Sequence, residues 1–342
     1  MFSLGKTLTT VGTIALLATA TAHSALAQEK PGEGVTIVMA QPTWDTGWFH
    51  TEIYKQLLQE LGYALGDTMT LDNPAFYQSV AYGDVTLWVD GWFPLHDTYR
   101  AAFETGAETV GAVARGGALE GYLVDKASAD KFGITSLDDF KRAEVQEAFD
   151  RDGDGKADLV ACPPGWGCEI NIEHHLDAYE LRDHINPIKA GYSASMADAV
   201  ASYGAGEPIL FYTWTPNWTV NELVPGEDVV WIEVPRVDLP GDMMKLADAA
   251  TRPGVVGCVN DPCKLGFPAN DIVPVANSAF LQDNPAVRTL LTAVEIPLAD
   301  IFAQNAAMNA GDADIEAQAK AWIAGHRAQV DGWLGKARVA TQ

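Results

Sequence analysis

Short apolar stretches alternate along the chain with longer segments of helical periodicity. The stretches that predict β-strands are residues 35–40, 85–89, 120–124, 208–213, 229–234 and 271–276. Helical periodicity is present at residues 49–61, at 194–203 and from 284 to the C-terminus, including 315–334. Strands that alternate with helices predict an α/β fold with a mainly parallel sheet flanked by helices.

Two segments rich in glycine or proline divide these elements into two groups. Residues 115–118 and 235–241 are the best hinge candidates. They predict a first lobe made of residues 28–116 and 238–342, with residues 117–237 inserted as a second lobe. A ligand would bind in the cleft between the lobes, beyond the carboxyl ends of the strands.

Residues 1–27 have the features of a secretory signal peptide. Lys6 supplies a positive charge, and residues 11–20 form an apolar run that is too short to span a bilayer. Ala25 and Ala27 provide the small residues that a signal peptidase requires. Cleavage after Ala27 and export to the periplasm are therefore expected, with a tethering helix as the alternative.

The composition predicts a packed and strongly acidic globular protein. Hydrophobic residues make up 48% of the chain, and 46 Asp and Glu against 22 Lys and Arg give a formal net charge of −24. This charge repels nucleic acid and anionic lipid, so neither is expected as a partner. Such a surface is typical of a soluble monomer.

The cysteines occur as two closely spaced pairs, Cys162 with Cys168 and Cys258 with Cys263. In an oxidising compartment, close pairs of this kind usually form disulfides. A zinc site is the competing interpretation, but neither pair has the two intervening residues of a zinc knuckle.

Three of the tryptophans lie beside turn residues rather than inside apolar segments. They are Trp92 in a Gly-Trp-Phe-Pro segment, Trp166 between two glycines, and Trp214 in a Thr-Trp-Thr-Pro segment. Rings in such positions are suited to line a cleft, where their faces would attract a quaternary ammonium cation by about 0.5–2 kcal/mol each. The alternative is that all three are structural.

A helix predicted to begin after Trp166 offers a site for a carboxylate. Gly167 and Cys168 would present the free backbone N–H groups of the helix N-terminus. His96, four residues after Trp92, could add a further donor, although a surface or capping role is equally consistent with the sequence. A cation cage beside a carboxylate site is what a small zwitterion such as a betaine requires.

An aspartate-rich loop has the spacing of a calcium-binding loop. The candidate ligands are Asp150, Asp152, Asp154, the carbonyl of Lys156, and Asp158. Ala161 stands where a complete EF-hand loop has Glu, so a structural calcium ion is the prediction and a solvated acidic turn is the alternative. No other cofactor is expected.

Motifs that would indicate an enzyme are missing from the sequence. There is no G-x-S-x-G, no P-loop, no H-E-x-x-H and no dinucleotide-binding glycine motif, so a non-enzymatic protein is predicted. His174 and His175 are adjacent on a predicted helix and would point in different directions, and both are predicted to lie on its surface.

The sequence resembles the periplasmic glycine betaine/proline betaine-binding proteins of osmoprotectant ABC importers. The segments that carry the resemblance are residues 92–97, 162–169, 212–216, 221–226, 229–235 and 239–242. The resemblance implies a two-lobed type II periplasmic binding protein that closes on its ligand and delivers it to an ABC permease in the inner membrane.

The resemblance also implies the roles of individual residues. It assigns the ammonium cage to Trp92, Trp166 and Trp214, the carboxylate site to the backbone of Gly167 and Cys168 with His96, and a disulfide to Cys162–Cys168.

Two features depart from the better-known members of this family. Cys258–Cys263 is an additional pair, and Trp44 and Trp48 bring aromatic rings near the first strand. Whether either ring joins the site, and which onium compound is preferred, is left open by the sequence. The alternative functions are an exported carbohydrate-binding protein or enzyme that uses Trp platforms, and a metal-binding protein that uses the aspartate loop or His174 and His175.

Overall fold

The computed structural model describes residues 1–2 and 30–340. The predicted signal peptide and its cleavage after Ala27 therefore lie almost entirely outside the described residues. The strands are β1 Thr36–Ile37, β2 Ala40–Pro42, β3 Ala64–Leu65, β4 Met69–Leu71, β5 Leu87–Phe93, β6 Ala107–Thr109, β7 Ala114–Asp125, β8 Ala157–Val160, β9 Ile185–Ile188, β10 Leu210–Thr215, β11 Val229–Ile232, β12 Thr251–Arg252, β13 Cys263–Lys264 and β14 Asn270–Asn277.

The helices alternate with these strands and then dominate the C-terminal part of the chain. They are α1 Trp48–Glu60, α2 Asn73–Tyr82, α3 Arg100–Phe103, α4 Lys126–Phe132, α5 Ala143–Phe149, α6 Gly167–Ala178, α7 Tyr192–Gly204, α8 Thr219–Glu222, α9 Ser278–Asp283, α10 Pro285–Ala293, α11 Leu298–Asn309, α12 Ile315–Gly325 and α13 Arg327–Val339. None of the described helices is both long and apolar enough to cross a bilayer.

The central sheet has eight strands, and its pairing is mixed. The main path runs β5-β14-β7-β10-β8-β9, with β6 paired to β14 and β11 paired to β7. The α/β class is confirmed, but the expectation of a mainly parallel sheet is wrong for this path. Only β10-β8 and β8-β9 are parallel among its pairs, whereas β14-β5, β14-β7 and β10-β7 are antiparallel.

The antiparallel pair β7-β14 lies where the chain passes between the two halves of this sheet. The first residues of β7 pair with β14, at Ala118↔Asn270 and Ala114↔Ile272, while residues 119–124 pair with β10. A chain that enters an inserted segment on one strand and returns on the neighbouring strand must run in opposite directions on the two. The predicted hinge at 115–118 thus lies inside β7.

The second predicted hinge, at 235–241, is followed by a segment that still bonds to β11 and to the residues just after it. Trp231 forms a bridge with Cys258, and the amide of Val234 donates to the carbonyl of Lys264 at 3.0 Å. These contacts favour a return of the chain from the inserted lobe to the first lobe at β14 rather than near residue 238. The lobe boundaries themselves stay a prediction.

Two predicted elements are interrupted in the structure. The predicted strand at 35–40 is divided into β1 and β2. Between them, the amide of Val38 donates to the side-chain hydroxyl of Thr86 at 3.1 Å and not to the backbone of a neighbouring strand. The predicted helix at 315–334 is divided at His326, where α12 ends after Gly325 and α13 begins at Arg327.

Candidate ligand-binding site

A small pocket lies where β5, β7, β10 and the start of α6 meet. Its volume is about 290 Å³, including the part that is open to solvent. The residues that line it are Trp44, Asn73, Trp92, Leu95, His96, Glu120, Trp166, Gly167, Cys168, Tyr212 and Trp214. The structure therefore brings all six predicted ligand-binding residues together around one cavity.

Indole rings form the walls of this pocket. Trp166 lies in the middle, 5.1 Å from the ring centroid of Trp44 and 5.7 Å from that of Trp214, with interplanar angles of 72° and 75°. Trp92 comes from β5 and faces the same cavity. Edge-to-face packing of this kind turns ring faces in several directions, which suits a cage around a compact group.

The open question about the extra tryptophans is answered differently for each. Trp44 lines the pocket and packs against Trp166. Trp48 does not line it, and its Nε1 donates a hydrogen bond to the carbonyl of Pro42 at 2.8 Å. Trp44 precedes a 3₁₀ turn at Asp45–Gly47, which leads its side chain towards the pocket before α1 begins.

The segment that carries Trp44 also holds the rings on the opposite side. The Nε1 of Trp166 donates to Thr43 Oγ1 at 2.8 Å, and the Nε1 of Trp214 donates to Thr46 Oγ1 at 3.3 Å. Each indole has a single hydrogen-bond donor, so one bond of this type fixes the rotation of the ring about its side-chain torsions. Residues 43–46 therefore determine how these two rings face the cavity.

Gly167 and Cys168 are the first two residues of α6, as predicted. Their amide groups have no acceptor one turn earlier in the helix and point towards its N-terminal end. Both cysteine pairs are joined, with Cα–Cα distances of 5.9 Å for Cys162–Cys168 and 6.1 Å for Cys258–Cys263. The first disulfide fastens the loop before α6 to the first turn of that helix.

His96 is buried and its tautomer is fixed by its neighbours. The backbone amide of Trp92 donates to His96 Nδ1 at 3.0 Å, so the ring hydrogen lies on Nε2, 2.9 Å from the Asn73 amide group. Placing Asn73 Oδ1 at that contact gives the hydrogen an acceptor and satisfies an otherwise unpartnered buried oxygen. Burial lowers the pKa of His96 to about 3, against a smaller opposite effect of the Asp90 charge, so the ring is neutral.

A buried carboxylate in the pocket was not predicted from the sequence. Glu120 accepts hydrogen bonds from the hydroxyl of Tyr212 and from Asn270 Nδ2, the latter at 2.7 Å. Asn270 Oδ1 in turn accepts from the amide of Leu95 at 2.9 Å. Burial raises the pKa of Glu120 to about 7, although both hydrogen bonds oppose the shift. A charged residue at the start of an apolar strand was the signal that could have identified it.

The aspartate loop forms a separate cluster at the surface. Carboxylate oxygens of Asp150, Asp152 and Asp158 lie within 4.8 Å of one another. Asp154, the remaining predicted carboxylate, is outside that group and accepts from the amide of Lys156 at 2.9 Å. The structure thus brings three of the four predicted carboxylates together, and calcium binding there stays a prediction.

The two adjacent histidines point in different directions, as expected, but the prediction that both lie on the helix surface is wrong for His175. His175 is fully buried, and its Nδ1 lies 2.8 Å from the Tyr122 hydroxyl. His174 is half-buried and its Nε2 lies 2.8 Å from Asp238 Oδ1. The two side chains therefore serve different structural contacts, because they leave α6 on different faces.

Comparison with known proteins agrees with this geometry. A family model described as the substrate-binding domain of the ABC-type glycine betaine transport system matches residues 35–325. The chain belongs to this family. It is 40% identical to the glycine betaine-binding periplasmic protein OusX of Dickeya dadantii, over 97% of this chain and 98% of the relative.

Two further similarities extend this result. The chain is 40% identical to the glycine betaine/proline betaine-binding periplasmic protein of Escherichia coli, over 94% of this chain and 96% of the relative. The fold matches a solved glycine/betaine/L-proline-binding protein of Borrelia burgdorferi with a TM-score of 0.69 and 16% identity, over 90% of this chain and all of that one. The fold is that of a type II periplasmic binding protein.

We expect Glu120 to make stability depend on pH. Because its pKa is raised from 4.5 to about 7, the folded state holds a proton that the unfolded state loses, so stability falls as the pH rises through this window. The unfolding free energy of the wild type, minus that of Glu120→Gln, should decline between these pH values by about 1.4 kcal/mol per pH unit. Parallel pH profiles from chemical denaturation would contradict this assignment.

Proposed function

We propose that this protein is the substrate-binding component of an ABC importer and that it captures glycine betaine or a closely related onium zwitterion. It works as a monomer in the periplasm, catalyses no reaction, and passes its ligand to a permease in the inner membrane. Both curated relatives described above are named as periplasmic glycine betaine-binding proteins, which supports the compartment and the ligand class.

The observation that carries this proposal is the position of the indole cage beside the first turn of α6. A trimethylammonium group donates no hydrogen bond, so ring faces attract it by dispersion and by cation–π interaction. The amides of Gly167 and Cys168 open into the same pocket, where a helix N-terminus attracts a carboxylate. The two halves of the pocket therefore complement the two charges of a betaine.

The same arrangement supports discrimination by methylation. A primary ammonium group keeps strong hydrogen bonds to water and would lose them on entering a cage of ring faces. An indole N–H is itself a donor and cannot accept from an ammonium group, so the rings that wall the cage offer no replacement. Free glycine should therefore bind far more weakly than its trimethylated form.

The first test is calorimetric titration of the ligand-free chain from residue 28 onwards. Glycine betaine, proline betaine, choline, dimethylsulfoniopropionate and glycine are the ligands. We expect saturable binding of the methylated compounds, no measurable binding of glycine, and at least about tenfold weaker binding by Trp166→Ala. Trp322→Ala is the control, because that half-buried ring stacks on His326 away from the pocket lining.

The proposal would be contradicted if the folded wild-type protein showed no binding of any onium ligand. Saturation by oligosaccharides instead would favour a carbohydrate-binding protein.

A methyl group at Gly167 should block the carboxylate side of the pocket. A Cβ there would lie 2.9 Å from His96 Cδ2 and 3.2 Å from the Leu95 side chain. We expect Gly167→Ala to weaken glycine betaine binding by about tenfold or more while the protein still unfolds cooperatively. Gly191→Ala is the matched control, since Gly191 precedes α7 and a Cβ there would meet nothing within 4 Å. Equal affinities of the two variants would exclude this role.

We also propose that the aspartate loop holds a calcium ion that stabilises its own segment. Asp150, Asp152 and Asp158 would supply carboxylate oxygens, the ligands that calcium prefers. Gly153 and Gly155 have φ values of 83° and 86° and donate their amides to Asp150, so the backbone already curls around this group.

Calcium should raise the melting temperature relative to a chelator-treated sample, because an ion that binds only the folded state stabilises it. The shift should vanish in Asp152→Asn, and glycine betaine affinity should not change. Differential scanning calorimetry with calcium, magnesium or chelator measures this. An identical melting temperature in calcium and chelator would refute the calcium site.

A further inference from the structure

A second buried carboxylate, Asp90, lies behind the indole cage. It is on β5, two residues before Trp92, so the two side chains leave the strand on the same face. The Nε1 of Trp44 donates to Asp90 Oδ2, and the Nε1 of Trp92 donates to Oδ1 at 3.3 Å. His50 Nε2 lies 2.8 Å from the same Oδ1. Asp90 is only 1% exposed.

The neighbours of Asp90 supply N–H donors to both of its oxygens. A carboxylate has acceptor sites on both oxygens for such donors. His50 Nδ1 is buried without a partner, and a hydrogen there would be a buried donor with no acceptor, which costs more than an unused lone pair. Nε2 is therefore the His50 nitrogen that donates to Asp90. Among the described residues, the His50 imidazole contacts Asp90 and no Lys or Arg forms an ion pair with it.

The local backbone is shaped to accept this carboxylate. Gly47 lies just before α1, and a Cβ at that position would be 2.1 Å from Asp90 Oδ2. Any larger residue at position 47 would displace the carboxylate and with it the edge of Trp44. The turn that presents Trp44 to the pocket therefore leaves space for the Asp90 carboxylate.

The charge of Asp90 reaches the pocket itself. It opposes the larger effect of burial on the pKa of His96, a residue that lines the pocket. Hydrogen bonds to a carboxylate also polarise their donors, which increases the electron density on the faces of the Trp44 and Trp92 indoles. Both effects favour a cation between the rings.

We infer that Asp90 is a positioning and specificity residue that fixes two rings of the cage and supplies the negative charge that makes the pocket select a cation over a neutral group of the same shape. This inference rests on the proposed function and deepens it. The bound ammonium group would place a positive charge near a buried carboxylate that no described Lys or Arg neutralises, at a position where low polarity strengthens their attraction. A cage of rings alone would depend on shape and dispersion to a larger extent.

The test compares glycine betaine with tert-butylacetate, its carbon isostere, which has the same shape and carboxylate but no cation. Calorimetry, with competition titration for the weaker ligand, gives the ratio of the two affinities for each variant. We expect Asp90→Asn to weaken glycine betaine binding by about tenfold or more and tert-butylacetate binding by less than about threefold. The preference for the cation would then fall by at least about threefold.

Two further variants separate charge from structure. Asp125→Asn removes another buried carboxylate, one that caps α4 and accepts from the amide of Ile209, and should leave the affinity ratio unchanged. Trp44→Phe keeps the Asp90 charge but replaces an indole by a ring with weaker cation–π attraction, so it should reduce the ratio by less than Asp90→Asn does. A wild type that binds glycine betaine and tert-butylacetate equally well would overturn the inference even if Asp90→Asn fails to fold.

The outcomes distinguish this inference from the proposed function. An unchanged ratio in Asp90→Asn, or a ratio that collapses equally in Trp44→Phe, would overturn the role of the Asp90 charge while leaving the betaine-binding function intact. A wild type that binds no onium ligand would overturn the proposed function, and the inference with it. A selective loss of the cation in Asp90→Asn supports both.

Discussion

The pocket depends on hydrogen bonds from the edges of its indole rings, because the ring faces that line the cavity form none. Each of the four indoles has one polar hydrogen, and each hydrogen is used: Trp166 bonds to Thr43, Trp214 to Thr46, and Trp44 and Trp92 to Asp90. Once these hydrogens are committed, the rings present carbon faces to the cavity. A rigid surface of this kind attracts an onium cation that has no hydrogen bond to donate.

The sheet places this pocket next to the strands on which the chain passes between its two halves. Glu120 is on β7 and Asn270 begins β14, and the two are hydrogen-bonded across that crossing. Asn270 also accepts a hydrogen bond from the amide of Leu95, the neighbour of His96. The strand crossing and the pocket lining therefore share buried polar contacts through Glu120, Asn270 and Leu95.

Much of the site could be predicted from the sequence because its residues stand in short local patterns. Trp92, Trp166 and Trp214 are flanked by turn residues, and Gly167 and Cys168 follow directly after one of them at the start of a helix. The general order of strands and helices follows in the same way from hydrophobic periodicity.

Other features depend on contacts between distant parts of the chain. Asn73 and Tyr212 carry no local signal, and Glu120 meets Asn270 across 150 positions. The mixed sheet was missed for the same reason, because alternation of strands and helices does not specify which strand lies beside β14. The division of the strand at 35–40 depends on Thr86, a residue that no periodicity connects to Val38.

The hydrogen bonds of Thr43 and Thr46 have a consequence for binding strength. These residues belong to the first predicted lobe, whereas Trp166 and Trp214 belong to the second, so the predicted boundaries place the complete box of rings where the two lobes meet. The measured affinity would then be the intrinsic affinity of the closed box multiplied by the fraction of molecules that are closed. Residues far from the ligand could adjust the uptake threshold by changing that fraction, with every ring left in place.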